Sequence, residues 1–125
     1  MNEQDIDKLE AGPYLDALIA SLVLKQGEYV QHMTGTGFIQ HVIRIPDGHL
    51  VFPANHSTDI AAAWSVVEKM IDVNNVELSW YNSATGWIWS FRIRRVWAAD
   101  KTAPLAICKA ALKAVMVEHA QQIDR

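Results

Sequence analysis

The sequence predicts an α+β domain in which an antiparallel, tryptophan-rich sheet is covered by three amphipathic helices, in the order α-β-β-α-β-β-α. Three observations carry this. Three segments repeat apolar residues at helical spacing; the segments between them alternate or cluster β-branched and aromatic residues; and turn residues separate the two kinds. The chain has 125 residues, half of them hydrophobic and a fifth charged. That is enough apolar material for one core, so a single domain over residues 1–125 is expected.

The first helix begins at Pro13, whose missing N–H suits a first helical turn. Leu15, Leu18, Ile19, Leu22 and Val23 place five aliphatic groups on one stripe, and Lys25 and Gly27 read as its stop. From Glu28 to Phe52 β-branched and aromatic residues surround a Thr34–Gly37 loop, and Phe38 to Ile45 reads as a strand. Pro46, Asp47 and Gly48 then form turn chemistry, read as a three-residue hairpin loop that sets Ile45 opposite His49 and returns through Phe52.

A second helix is expected from Ser57 or Thr58, either of which can cap it, with Asp59 favoured near the positive end of the helix dipole. Its stripe is Ile60, Ala63, Trp64, Val67, Met70 and Ile71. Val76, Leu78 and Trp80 alternate with Glu77, Ser79 and Tyr81, the period of a strand with one buried face. The following strand sets Trp87, Trp89, Phe91 and Ile93 against Ile88, Ser90, Arg92 and Arg94. Arg95 to Ala99 either continues it past a bulge or forms a further strand. The last helix opens at Thr102 to Pro104, with Leu105, Cys108, Leu112, Val115 and Met116 facing inward, Lys109 and Lys113 facing outward, and fraying from Gln121.

Charge and cysteine usage bound the function. The net charge of −3 provides no global basic field for nucleic acid, so such a role needs a local patch. A single cysteine, Cys108, cannot form an internal disulfide, and the polar, acidic residues after Met1 do not resemble a secretory leader. No apolar run reaches the ~20 residues of a membrane span. A cytosolic protein is expected.

His32, His41, His49 and His56 cluster in and around the hairpin, but none shows the short paired spacing of a zinc motif, so no metal site is assigned. Gly35-Thr36-Gly37 lacks the lysine and helix start of a phosphate-binding loop. Ser57 follows His56 directly, a spacing unsuited to a nucleophile and its base, and Cys108 lies on an apolar stripe. No catalytic residue and no cofactor is assigned. The distinctive surface set is Trp89, Arg92, Arg94, Arg95 and Trp97, since interleaved arginine and aromatic residues hold phosphates and stack bases, or anchor protein interfaces. Against this stands ordinary packing of the tryptophans beneath helices.

Two stretches carry more than composition: Ser57-Thr58-Asp59-Ile60-Ala61-Ala62-Ala63-Trp64-Ser65-Val66-Val67-Glu68-Lys69, and Thr102-Ala103-Pro104-Leu105-Ala106-Ile107-Cys108-Lys109-Ala110-Ala111-Leu112-Lys113-Ala114-Val115. With Leu15-Asp16-Ala17-Leu18-Ile19-Ala20 and Gly86-Trp87, in that order and spacing along nearly the whole chain, they resemble the phage ABA sandwich domain family. The resemblance implies an α-β-α sandwich and a small phage- or prophage-encoded accessory protein working in the host cytoplasm. It brings no catalytic residues with it. The segment from Glu28 to Pro53 departs from the family in length and histidine content, which adds His41 and His49 to the candidate binding residues. The expected function is therefore non-enzymatic binding of a host bacterial protein, as in a counter-defence inhibitor, with a nucleic-acid or nucleotide-binding module as the alternative. Self-association into a homo-oligomer is a third possibility, and no membrane partner is expected.

Overall fold

The computed structural model describes residues 2–71 and 75–123 and shows an α+β sandwich. Its elements are α1 (Glu3–Asp7), α2 (Pro13–Leu18), which widens into a π-helical turn at Ile19–Val23, β1 (Glu28–Met33), β2 (Ile39–Arg44), β3 (Leu50–Val51), α3 (Ile60–Ile71), β4 (Val76–Ser83), β5 (Gly86–Ile93), β6 (Val96–Asp100) and α4 (Ala103–Ile123). The strands form two separate three-stranded antiparallel sheets, β1-β2-β3 and β4-β5-β6. The sequence order α-β-β-α-β-β-α therefore holds with one more strand in each β segment and a short helix at the start.

Helix α1 is only five residues long, too short to show a period. Asn2 Oδ1 accepts the Asp5 N–H and Asp5 Oδ2 accepts the Asn2 N–H, a reciprocal cap that holds the turn together. Its Ile6 is fully buried. In α2 the expected stripe is observed, with Leu15, Leu18, Ile19 and Val23 buried and Leu22 packed beside them. The stop differs in detail. Lys25 itself takes the left-handed conformation at φ 56, whereas Gly27 is required because a Cβ there would overlap the Arg44 carbonyl oxygen.

The Pro46-Asp47-Gly48 loop closes as read from the sequence. The Ile45 N–H donates to the His49 carbonyl at 3.0 Å, the His49 N–H to Asp47 Oδ1 at 2.9 Å, and Gly48 has φ 98. Arg95 to Ala99 proves to be a further strand: the chain reverses at Arg94 and Arg95, with Arg94 at φ 55, and Ile93 faces Val96.

Three expectations are corrected. Helix α3 begins at Ile60 rather than at Ser57 or Thr58, and Asp59 caps it by accepting the Ala61 N–H on Oδ1 at 2.9 Å. Ser57 is buried and ties two segments together: its N–H donates to Asp16 Oδ1 at 2.7 Å, and its hydroxyl accepts the Gly12 N–H at 2.9 Å. The α3 stripe is Ala63, Val66, Val67 and Met70, which leaves Ile60, Trp64 and Ile71 about half exposed. Last, Lys109 and Lys113 do not face outward.

Those lysines follow from the position of α4. It packs against α1, the π-helical turn and α3, and against β5 and β6. Ala106, Ile107, Cys108, Ala110, Ala111 and Leu112 are all fully buried, the alanines allowing close approach on every side. A cation so enclosed needs partners. Lys109 Nζ donates to Asp100 Oδ2 at 2.7 Å and to the Asp7 carbonyl at 2.9 Å; Lys113 Nζ meets Asp7 Oδ1 at 2.6 Å and the Trp97 carbonyl at 3.2 Å. The helix continues to Ile123, past the expected fraying point at Gln121, and residues 124 and 125 lie outside the described residues.

The inner face of the larger sheet carries Val76, Leu78, Trp89, Phe91, Ile93 and Ala98 into the core that α3 and α4 share. The smaller sheet packs on α2 through Ile43, which meets Ala17 and Ala20 with Tyr29, Ile45 and Val51 around them. No helix among the described residues is long and apolar enough to cross a membrane.

Candidate functional site

Alternation along the larger sheet sends Glu77, Ser79 and Tyr81 of β4, Ile88, Ser90 and Arg92 of β5, and Trp97 and Ala99 of β6 to the face away from the helices. Glu77 lies opposite Arg92, and Arg92 opposite Trp97. Trp97 is 59% exposed and Tyr81 52%, and the arginines are exposed. Arg92 Nε donates to the Arg94 carbonyl at 3.2 Å, so it braces the turn that presents Arg94 and Arg95.

The structure thus brings together Arg92, Arg94, Arg95 and Trp97 at one end of the larger sheet. Trp89 is not with them. It lies on the inner face, half-buried against the core, with its ring centroid 5.7 Å from that of Trp80. Beside the group, Glu3, Asp7, Arg95, Trp97 and Lys113 line a cleft of about 490 Å³ along the free edge of β6. The Trp97 carbonyl turned to that edge is taken by Lys113.

The histidines go elsewhere and do not converge. His49 is exposed at the hairpin loop, with Nδ1 2.9 Å from Asp47 Oδ2. The backbone N–H of His49, and then its ring, hold the Asp47 carboxyl below its ordinary value of 3.8. His41 sits on β2 facing α2; its Nδ1 shares a 2.6 Å hydrogen bond with the Tyr29 hydroxyl, and Tyr14 packs on both rings. His56 is buried, its Nδ1 donating to the Ala62 carbonyl at 3.0 Å and its Nε2 without a partner. Among the described residues no three His, Cys, Asp or Glu side chains are grouped to hold a metal.

A second concavity, of about 330 Å³, lies where the start of α2 meets β2 and the segment after β3. Asp16, Gln40, His41 and Asn55 supply its polar groups; Pro13, Ile39, Phe52 and Pro53 supply its apolar walls. The sequence reading reached only His41 of this set. The signal for Asp16 was present, since it is the one charge in the run Leu15 to Ala20. Gln40, Phe52 and Asn55 gave none, because chain reversal alone brings them together. Cys108 lies near Asp16: burial, and then the Asp16 carboxylate, push its thiol far above the usual range, so it is held as the inert thiol.

No curated protein matches the chain. The crystal structure of a phage protein from Bacillus cereus ATCC 14579 is similar, with a TM-score of 0.51 at 26% sequence identity over 91% of this chain and 92% of that one. The sequence profile of the phage ABA sandwich domain matches residues 17–112. That span reaches from α2 through both sheets to α4, and with three quarters of its residues inside the match the chain belongs to the phage ABA sandwich domain family.

Proposed function

We propose that this phage-family protein is a non-enzymatic accessory protein of the host cytoplasm that binds a host bacterial protein and acts by occlusion, as a counter-defence inhibitor would. The observation that carries the reading is the exposed Trp97, set opposite Arg92 on a sheet face that no described helix covers. Tryptophan and arginine dominate the energetics of protein interfaces, and an uncovered aromatic face is rare on a chain that works alone. The cleft beside β6 offers a partner segment a place next to the same residues. The hairpin from Glu28 to Pro53 adds exposed Met33, Phe38, Leu50 and Phe52 as a further contact region, with His49 at its turn.

Affinity capture from host lysate tests this. A specific partner retained by the wild type and lost with Trp97→Ala and Arg92→Ala supports it. Absence of any specific partner counts against it.

A nucleic-acid or nucleotide-binding role is the second reading, favoured by Arg92, Arg94 and Arg95 gathered beside Trp97. It requires binding that weakens with added salt and with loss of any one arginine. Unchanged mobility of DNA, RNA and nucleotides at low salt removes it.

A further inference from the structure

Asp16 is the charged group least explained by its surroundings. It is 3% exposed, and none of the ion pairs among the described residues includes it. Ser57 N–H occupies Oδ1. Oδ2 accepts nothing from the described residues, yet it is not sealed away, because His56 Nε2 is the enclosed side-chain atom among them that lacks a partner. Asp16 instead helps to line the 330 Å³ cavity beside α2.

A carboxylate withdrawn from water is unfavourable until a cation or several donors meet it. The geometry points to this cavity as a binding site for a guanidinium group. A guanidinium is planar and permanently charged, with five N–H donors in a fixed fork. Asp16, Asn55 and Phe52 all line the cavity, with Gln40 on its β2 side; a carboxylate and an amide are residue types that accept from a guanidinium, and an aromatic ring is one on which a flat cation packs. An ammonium meets the charge but leaves the flat walls unused, and an anion is repelled by Asp16. His41 is fixed in the wall by Tyr29 and Tyr14, so part of the site is formed before anything binds. The guanidinium can belong to a free small molecule or to an arginine of a bound polypeptide; the chemistry is shared. The site lies on α2 and the smaller sheet, away from Arg92 and Trp97, and stands whether or not the proposed sheet-face interface does.

The test is an NMR titration of the ¹⁵N-labelled protein with N-acetyl-arginine amide, with N-acetyl-citrulline amide as its neutral isostere, and with a glycine-serine peptide containing one arginine. Saturable shifts of the Asn55 side-chain amide and of the Gln40 and Ser57 backbone N–H groups with an arginine probe, and not with citrulline, are expected. Asp16→Asn keeps an acceptor for Ser57 and weakens binding by roughly tenfold or more. Phe52→Ala, at a side chain 70% exposed, weakens it without disturbing the core. Saturation by the free amide as tightly as by the peptide identifies a small-molecule site; saturation by the peptide alone identifies a partner's arginine. Equal shifts with citrulline, no saturable shift with either arginine probe, or unchanged binding by folded Asp16→Asn overturns the inference. If Asp16→Asn does not fold, Phe52→Ala and the citrulline comparison decide it.

Discussion

At Gly27 the chain passes so close to the Arg44 carbonyl that even one added methyl group has no room, and the oxygen it meets is backbone, which cannot swing aside. Gly27→Ala is expected to lower the unfolding free energy by about 2 kcal/mol, read as a lower urea midpoint. Asp47 shows the opposite kind of residue, exposed and local. Its folded value lies below the ordinary 3.8, so its contribution to stability is present above that value and is lost as the pH falls through the lower folded one. NMR titration should place the Asp47 midpoint below 3.8, and His49→Ala should raise it partway, because the backbone N–H of residue 49 stays in place. Both the loop and its aspartate were legible in the sequence, since Pro46, Asp47 and Gly48 are consecutive in the chain and act on one another locally. Gly27 was legible only as a glycine near a helix end; its real neighbour is 17 residues away, and no local pattern names it.

Among the elements, α4 separates what periodicity can say from what it cannot. A stripe at Leu105, Cys108 and Leu112 is visible in the sequence, but burial on every side is not, because it depends on Asp7 and Asp100 reaching Lys113 and Lys109. Removing one member of an enclosed pair leaves the other charge unmet. Lys109→Met should therefore cost about 3 kcal/mol, and adding Asp100→Ala to it should recover much of the loss, as read in the double-mutant cycle of these two substitutions. In α3 the error ran the other way. Ile60, Trp64 and Ile71 keep helical spacing with the core residues yet stand half exposed, since an apolar residue looks the same in sequence whether it faces a core or a solvent-open groove. Such a groove, about 400 Å³, is lined by Ile60, Trp64, Leu78, Trp89 and Pro104. Division of the strands into two sheets was hidden for a related reason: each strand's alternation was readable, but its partners were not.

For the molecule as a whole, the two surface regions differ in how far apart in sequence their elements lie. The nearness of Arg92 to Trp97 is legible in the sequence because a two-residue turn joins their strands, whereas the Asp16 cavity is not, because α2, β2 and the loop before α3 build it together. Cys108, fully buried at the centre, reports on the integrity of the whole. Its thiol should resist maleimide at neutral pH in the native protein, and the labelling rate should rise with urea in parallel with global unfolding; fast labelling without denaturant would contradict this burial.

The central place of α4 also has a bearing on synthesis. The helix that closes the core is the last described element to leave the ribosome, and its lysines clamp Asp7 of α1, the first described element. Until Ala103 and its successors emerge, Phe91 and Ile93 lack their cover and α1 has no anchor. Arrested nascent chains that stop short of α4 are thus left protease-sensitive, and tertiary folding waits for translation to pass it.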